Sequence, residues 1–172
     1  MRRFLDGLYA FSGALAGFFI VAITLVILVQ IVSRWMGYIV PSTDDLSGFF
    51  LAASSFLGLA YTLKKGGHIR VSLVIQRLSR VQRHRQEFLV LAVGSGLATL
   101  MSWHLGYMVY ESWVFKDVSV GYLPIPLWIP QSSMSLGMLI FNIALVDELI
   151  RVLRGAKPCY QDCEDELNLE EV

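Results

Sequence analysis

The chain has 172 residues, 55% hydrophobic and 16% charged, and its 14 basic and 14 acidic residues leave a formal net charge of zero. That composition excludes a soluble domain, which needs polar positions alternating with apolar ones; residues 7–33, 46–63, 88–110 and 118–146 contain no Asp, Glu, Lys or Arg at all. A helix rising ~1.5 Å per residue needs roughly 20 residues to cross an apolar slab ~30 Å thick, so the expected fold is all-α and integral to a membrane, with four transmembrane helices.

The zero net charge averages two different sides. Arg2 and Arg3 precede the first run, Lys64, Lys65, Arg70, Arg77, Arg80, Arg83 and Arg85 lie between the second and third, and Arg151, Arg154 and Lys157 follow the fourth. Only Arg34 and Lys116 fall in the other gaps, so 12 of the 14 basic residues share one side. The positive-inside rule makes that side cytoplasmic and places both termini there.

The first span is expected at about residues 8–32. Its run is too long for the ~7–15-residue core of a signal peptide, so it is read as a retained span. Gly13 and Gly17 stand four apart on it, removing two side chains from one helix face and permitting close backbone approach. Gly58 and Gly96 are the matching small positions on spans two and three, and helix packing is assigned to all four glycines.

Span two is expected at about 46–63. Ser42 and Asp45, three residues apart, read as a capping box, with Asp44 and Asp45 favoured by the positive end of the helix dipole. Their other reading is a polar contact with a partner at the outer surface. The span ends at Lys64, Lys65, Gly66 and Gly67, with glycine stopping the helix.

Residues 71–85 read as an amphipathic helix on the cytoplasmic surface. Val71, Val74, Ile75, Leu78 and Val81 share one arc, and Arg77, Arg80, Arg83 and His84 another, which suits the headgroup layer. Lipid headgroups are the expected contacts of Arg77, Arg80 and Arg83.

Span three is expected at about 88–110. His104 is the one titratable side chain within its run to be considered for chemistry, and a lone intramembrane imidazole is expected to hydrogen-bond a neighbouring helix. A haem held by a helix bundle would normally need a second histidine. The next segment carries Pro124, Pro126 and Pro130, which delay span four, about 128–150, until proline is tolerated in a first helical turn. Trp35, Trp113 and Trp128 with Tyr38, Tyr110 and Tyr122 form an outer aromatic belt. Asp147 and Arg151 are spaced as an i, i+4 pair. Residues 157–172 form an acidic, disordered cytoplasmic tail, and its Cys159 and Cys163 read as neither a disulfide nor a metal site.

No carboxylate or amine lies mid-run, whereas ion-coupled transport normally places ionisable groups at depth. No catalytic cluster, metal site or cofactor site is read from the sequence. The chain is expected to be a non-enzymatic accessory or scaffold subunit with no role in nucleic-acid binding.

Two segments carry this further. Asp44-Asp45-Leu46 through Gly58-Leu59-Ala60-Tyr61, followed by Lys64-Lys65-Gly66-Gly67-His68-Ile69-Arg70-Val71, resembles the small membrane subunit of tripartite ATP-independent periplasmic (TRAP) transporters, the DctQ-like family. Leu123-Pro124-Ile125-Pro126-Leu127-Trp128-Ile129-Pro130, with Leu136-Gly137, is similar to that family's entry to span four. Ser72 and Ser135 depart from its acidic residue and proline at those places.

The resemblance implies a subunit of a secondary transporter in the bacterial inner membrane. Its partners would be a large multi-span transport subunit carrying the substrate and sodium sites, and a periplasmic solute-binding protein delivering an organic acid. Arg34, Asp44, Asp45, His68, Arg70, Pro126, Pro130 and Gly137 are the expected partner-facing residues. The competing expectations are a self-sufficient homo-oligomeric four-span transporter or channel, and a membrane anchor of an electron-transfer complex.

Overall fold

In the computed structural model the described residues are 2–38, 40–66 and 80–155. They form four helices: α1 (Arg2–Trp35), α2 (Thr43–Lys64), α3 (Arg80–Phe115) and α4 (Trp128–Leu153). Among these residues the one extended pairing is an isolated bridge between Val118 and Pro126. The architecture is all-α.

Helix boundaries follow local chemistry. Lys65 and Gly66 close α2 with backbone bonds to Tyr61 and Leu63, and Gly66 takes the left-handed φ of +71° that such an ending requires. Pro130 lies in the first turn of α4, where its missing N–H has no carbonyl to serve. The start of α3 differs from expectation. The helix begins at Arg80, so residues 80–85, assigned by pattern to a surface helix, are continuous with the third span. Basic residues end the apolar run, but they are good helix formers and do not end the helix. Residues 71–79 of that surface helix lie outside the described residues, as do His68, Arg70, Arg77, the side chains of Arg80 and Arg83, and the tail at 157–172.

α1, α2 and α3 are long and apolar enough to cross a membrane; α4, expected as the fourth span, is not among them. Its first turns carry Pro130, Gln131, Ser132, Ser133 and Ser135, and its last carry Asp147, Glu148 and Arg151. Its apolar residues turn inward instead: Met138, Ile140, Ala144, Leu145 and Val152 are buried.

The helices lie in a row, α1 against α2, α2 against α4 and α4 against α3, with slight contact between α1 and α4. α1 and α2 run antiparallel: Gln30 bonds Asp44 near one end, Ser12 Oγ donates to the Leu57 carbonyl at 2.5 Å, and Asp6 meets Lys64 at the other end. α3 and α4 also run antiparallel, tied by Thr99 to Asn142 at 3.2 Å and by the edge-to-face rings of Trp113 and Trp128, 4.9 Å apart.

Between these pairs, α2 and α4 meet at Gly137, where an added Cβ would stand 2.5 Å from the Phe56 carbonyl carbon. Only hydrogen fits there, and the two backbones touch. Small and aliphatic residues pack around the contact, Ala60 on α2 with Met138, Ile140 and Ala144 on α4, while Ala53 and Leu57 of α2 cluster with Ala16 of α1. Of the two α1 glycines, Gly13 sits against the Tyr61 ring, where an added Cβ would stand 2.7 Å from Cγ, whereas Gly17 opens outward with nothing within 4 Å.

Candidate functional site

Polar side chains gather at the two ends of the row. The terminal end holds the start of α1 and the end of α4; the loop end holds the α1–α2 and α3–α4 connections.

At the loop end, residues 116–127 fold into a strap. Ser119 N donates to Ile125 O at 2.9 Å, Leu127 N to Asp117 O at 3.0 Å, and Ser119 Oγ to Leu123 O at 3.0 Å. Pro126 fits because it bridges Val118 without needing an N–H of its own. The strap reaches the start of α2, where Leu123 N donates to Ser42 Oγ at 3.0 Å.

This corrects the capping-box expectation. Ser42 stands at the N-cap but in the left-handed region, φ +60°, and its side chain makes no cap bond. Its hydroxyl serves the strap instead of the helix. Asp45, the other member of the expected box, faces Gly121; a Cβ at 121 would overlap its Oδ2 and lie 3.4 Å from Ser42 Oγ. Gly121 lies directly against the Asp45 carboxylate, and the strap rests on Ser42 and Asp45 together. Asp44 points elsewhere and accepts from Gln30 Nε2 at 3.1 Å. Arg34 is exposed on the last turn of α1 and forms no ion pair among the described residues. Beyond these contacts the strap presents Val120 and Tyr122 almost fully exposed, as are Trp35 and Tyr38 in large part at the end of α1.

At the terminal end, Asp6, Tyr9, Lys64, Asp147, Glu148 and Arg151 line one open recess. Lys64 Nζ lies 2.5 Å from Asp6 Oδ1 and 5.9 Å from the centre of the Tyr9 ring. Arg151 Nη1 lies 3.4 Å from Glu148 Oε1, so Arg151 pairs three residues back. Glu148 is 6% exposed and continues the inward stripe of Gly137, Ile140, Ala144 and Leu145. Sequence spacing missed it. Following the small residues 137 and 144 along one helix face would have found a carboxylate at the end of that stripe. In the recess the Asp6–Lys64 pair fastens α1 to α2 by charge, beside the Glu148–Arg151 pair within α4.

The expected site residues therefore separate. Asp45 and Pro126 belong to the loop-end contacts, Gly137 to the α2–α4 crossing, and Pro130 to the first turn of α4. Gly13 packs on Tyr61, an added Cβ at Gly58 would lie 3.7 Å from the Ala16 methyl, and Gly17 and Gly96 have no neighbour within 4 Å. His104 is exposed on α3 and bonds no other described residue. Among the described residues, no three His, Cys, Asp or Glu side chains come together as they would around a metal ion.

A family model described as tripartite ATP-independent periplasmic transporters, DctQ component, matches residues 23–155. No curated protein matches the chain.

Proposed function

We propose, since the chain belongs to the DctQ component family of tripartite ATP-independent periplasmic transporters, that it is the small membrane subunit scaffolding a large transport subunit. The family is a transporter component, so its work is transport rather than catalysis. The pair would take up an organic acid delivered by a periplasmic binding protein and driven by sodium.

The observation that carries the scaffold role is the α2–α4 seam. It is closed by Gly137 against backbone and by Ala60, Met138, Ile140 and Ala144. Such a seam holds helices at fixed spacing and offers an ion no ligand. Substrate and sodium sites are accordingly assigned to the large subunit.

The terminal end faces the cytoplasm of a bacterial cell, supported by the 12 basic residues gathered on that side. The loop end then faces the periplasm, and its strap, which carries Tyr122 and rests on Asp45, is with the exposed Arg34 of the same end the surface offered to the binding protein. α4 is assigned as the fourth span because it pairs with α3 from Trp113–Trp128 to Thr99–Asn142 and reaches the recess beside Lys64.

The test is expression of the tagged chain with its large subunit, purification in mild detergent, and reconstitution. Co-purification of a large hydrophobic chain, and uptake that needs both chains, binding protein and a sodium gradient, is the expected result. Uptake by this chain alone, or a coloured cofactor in the purified complex, would overturn the proposal.

A further inference from the structure

α1 and α3 form the two edges of the row, and each turns a long apolar face outward. On α1 that face includes Phe11, Phe18, Val21, Leu25 and Leu28, all more than half exposed. On α3, Val93, Leu97, Leu100, Trp103 and Tyr107 are equally exposed. Apolar exposure alone does not separate the edges, because lipid tails accept either face.

Polar groups do separate them. On α1, Ser12 donates to Leu57 O, Thr24 to Ile20 O and Gln30 to Asp44. On α3, at 100° per residue, His104 falls on the arc of Leu100 and Tyr107, opposite the buried Leu91, Ser95 and Ala98. It is exposed, and no described residue bonds it.

Depth makes that position costly. His104 lies ~9 Å along the helix from Tyr110, where the charge-free run ends. Side chains on a helix lean toward its N-terminus, which for α3 is the terminal end. The imidazole therefore leans deeper into the bilayer and away from the nearer headgroups, and it lacks the long stem that lets Lys or Arg reach back. Hydrocarbon offers it nothing to bond. About two turns from His104 towards the start of α3, Gly96 has open space where a Cβ would stand, so another backbone can approach closely there.

We propose that the outward face of α3, centred on Gly96, Leu100, His104 and Tyr107, is the docking surface for a transmembrane helix of the large transport subunit. That helix presents a hydrogen-bonding side chain or a freed backbone carbonyl to His104. The outward face of α1 is left to lipid. Because the occupant rests on the transporter-subunit proposal, the test separates the two.

The experiment uses the full chain expressed with its large subunit, with photoreactive benzoylphenylalanine in place of Leu100 or His104, and separately of Val21 or Leu25. Light is expected to cross-link positions 100 and 104 to the large subunit, and positions 21 and 25 to lipid alone. In parallel, His104→Leu should lower recovery of the large subunit about tenfold, and His104→Gln should restore much of it. Neither should move the thermal unfolding of the chain by itself, since no described residue bonds His104 within it. Co-purification with cross-links from 21 and 25 alone, or with unchanged recovery in His104→Leu, would overturn this docking face and leave the subunit proposal standing. Cross-links from 104 to a second copy of this chain would overturn it too. Failure to co-purify at all would overturn both.

Discussion

α1 and α3 are close to the same object by composition: long helices at opposite edges of one row, each with an unbroken apolar flank. They differ in how their polar side chains are served. Ser12, Thr24 and Gln30 of α1 are satisfied inside the chain, at Leu57 O, Ile20 O and Asp44, while α3 holds His104 outward at membrane depth. In water, an exposed apolar patch marks an interface. In a bilayer it marks nothing, and the informative group is the polar one that lipid cannot serve.

The largest expected effect comes from breaking what holds the two edges together. Gly137→Leu places a side chain where even a Cβ would sit 2.5 Å from Phe56 and 2.7 Å from Leu57 N. Overpacking of that kind costs about 3 kcal/mol or more, because neither backbone can yield without moving its helix. Purified Gly137→Leu should unfold at much lower temperature in detergent and recover no large subunit; near-normal melting would mean α2 and α4 do not cross there.

Another change is confined to one edge. Leu100→Trp should lower recovery of the large subunit about tenfold, equivalent to ~1.4 kcal/mol. Val21→Trp, on the opposite edge, should leave recovery unchanged. A quantitative pull-down of the two variants side by side reads the contrast, and equal losses would erase it.

A third change alters stability without choosing between edges. Arg151→Ala removes a charged hydrogen bond to buried Glu148 and should cost about 1.5–3 kcal/mol. Lys64→Ala breaks a pair whose side chains are 31% and 47% exposed, and should cost roughly 1 kcal/mol or less. Denaturation midpoints should rank Arg151→Ala below Lys64→Ala, with partner recovery per folded chain unaltered in both.

The number of long helices and the polar ends between them were legible in the sequence, because charge-free runs and proline positions are local signals. The order of the helices was not. A span is apolar all round, so periodicity does not tell a flank packed on Ala53 and Gly137 from one turned outward at Val21. Ser42 and Asp45 were visible as special residues, but their use depends on a strap that arrives from residues 116–127. Local spacing read a helix cap where a distant segment had taken the hydroxyl. Glu148 was passed over for Asp147 for the same reason: spacing to Arg151 is local, whereas burial depends on which stripe faces α2. Residues 80–85, read by their pattern as part of a surface helix, are continuous with α3, because charge ends an apolar stretch without ending the helix.

The smallest effect distinguishes the inner and outer flanks of α1. Gly13→Ala pushes a methyl against Tyr61 and should destabilise the chain by about 1 kcal/mol. Gly17→Ala meets nothing and should stabilise the helix by roughly 0.5–1 kcal/mol. Opposite signs in paired melting curves are the expected result; equal shifts would mean that α1 is rotated relative to α2.

The most direct measurement is the oxygen accessibility of spin labels at positions 21 and 100, compared in bilayers before and after assembly with the large subunit. The label at 100 is expected to lose contact with lipid-dissolved oxygen on assembly, while the label at 21 keeps it. A label at 100 that stays accessible while the one at 21 becomes shielded would contradict the account, because the edge carrying His104 would then face lipid.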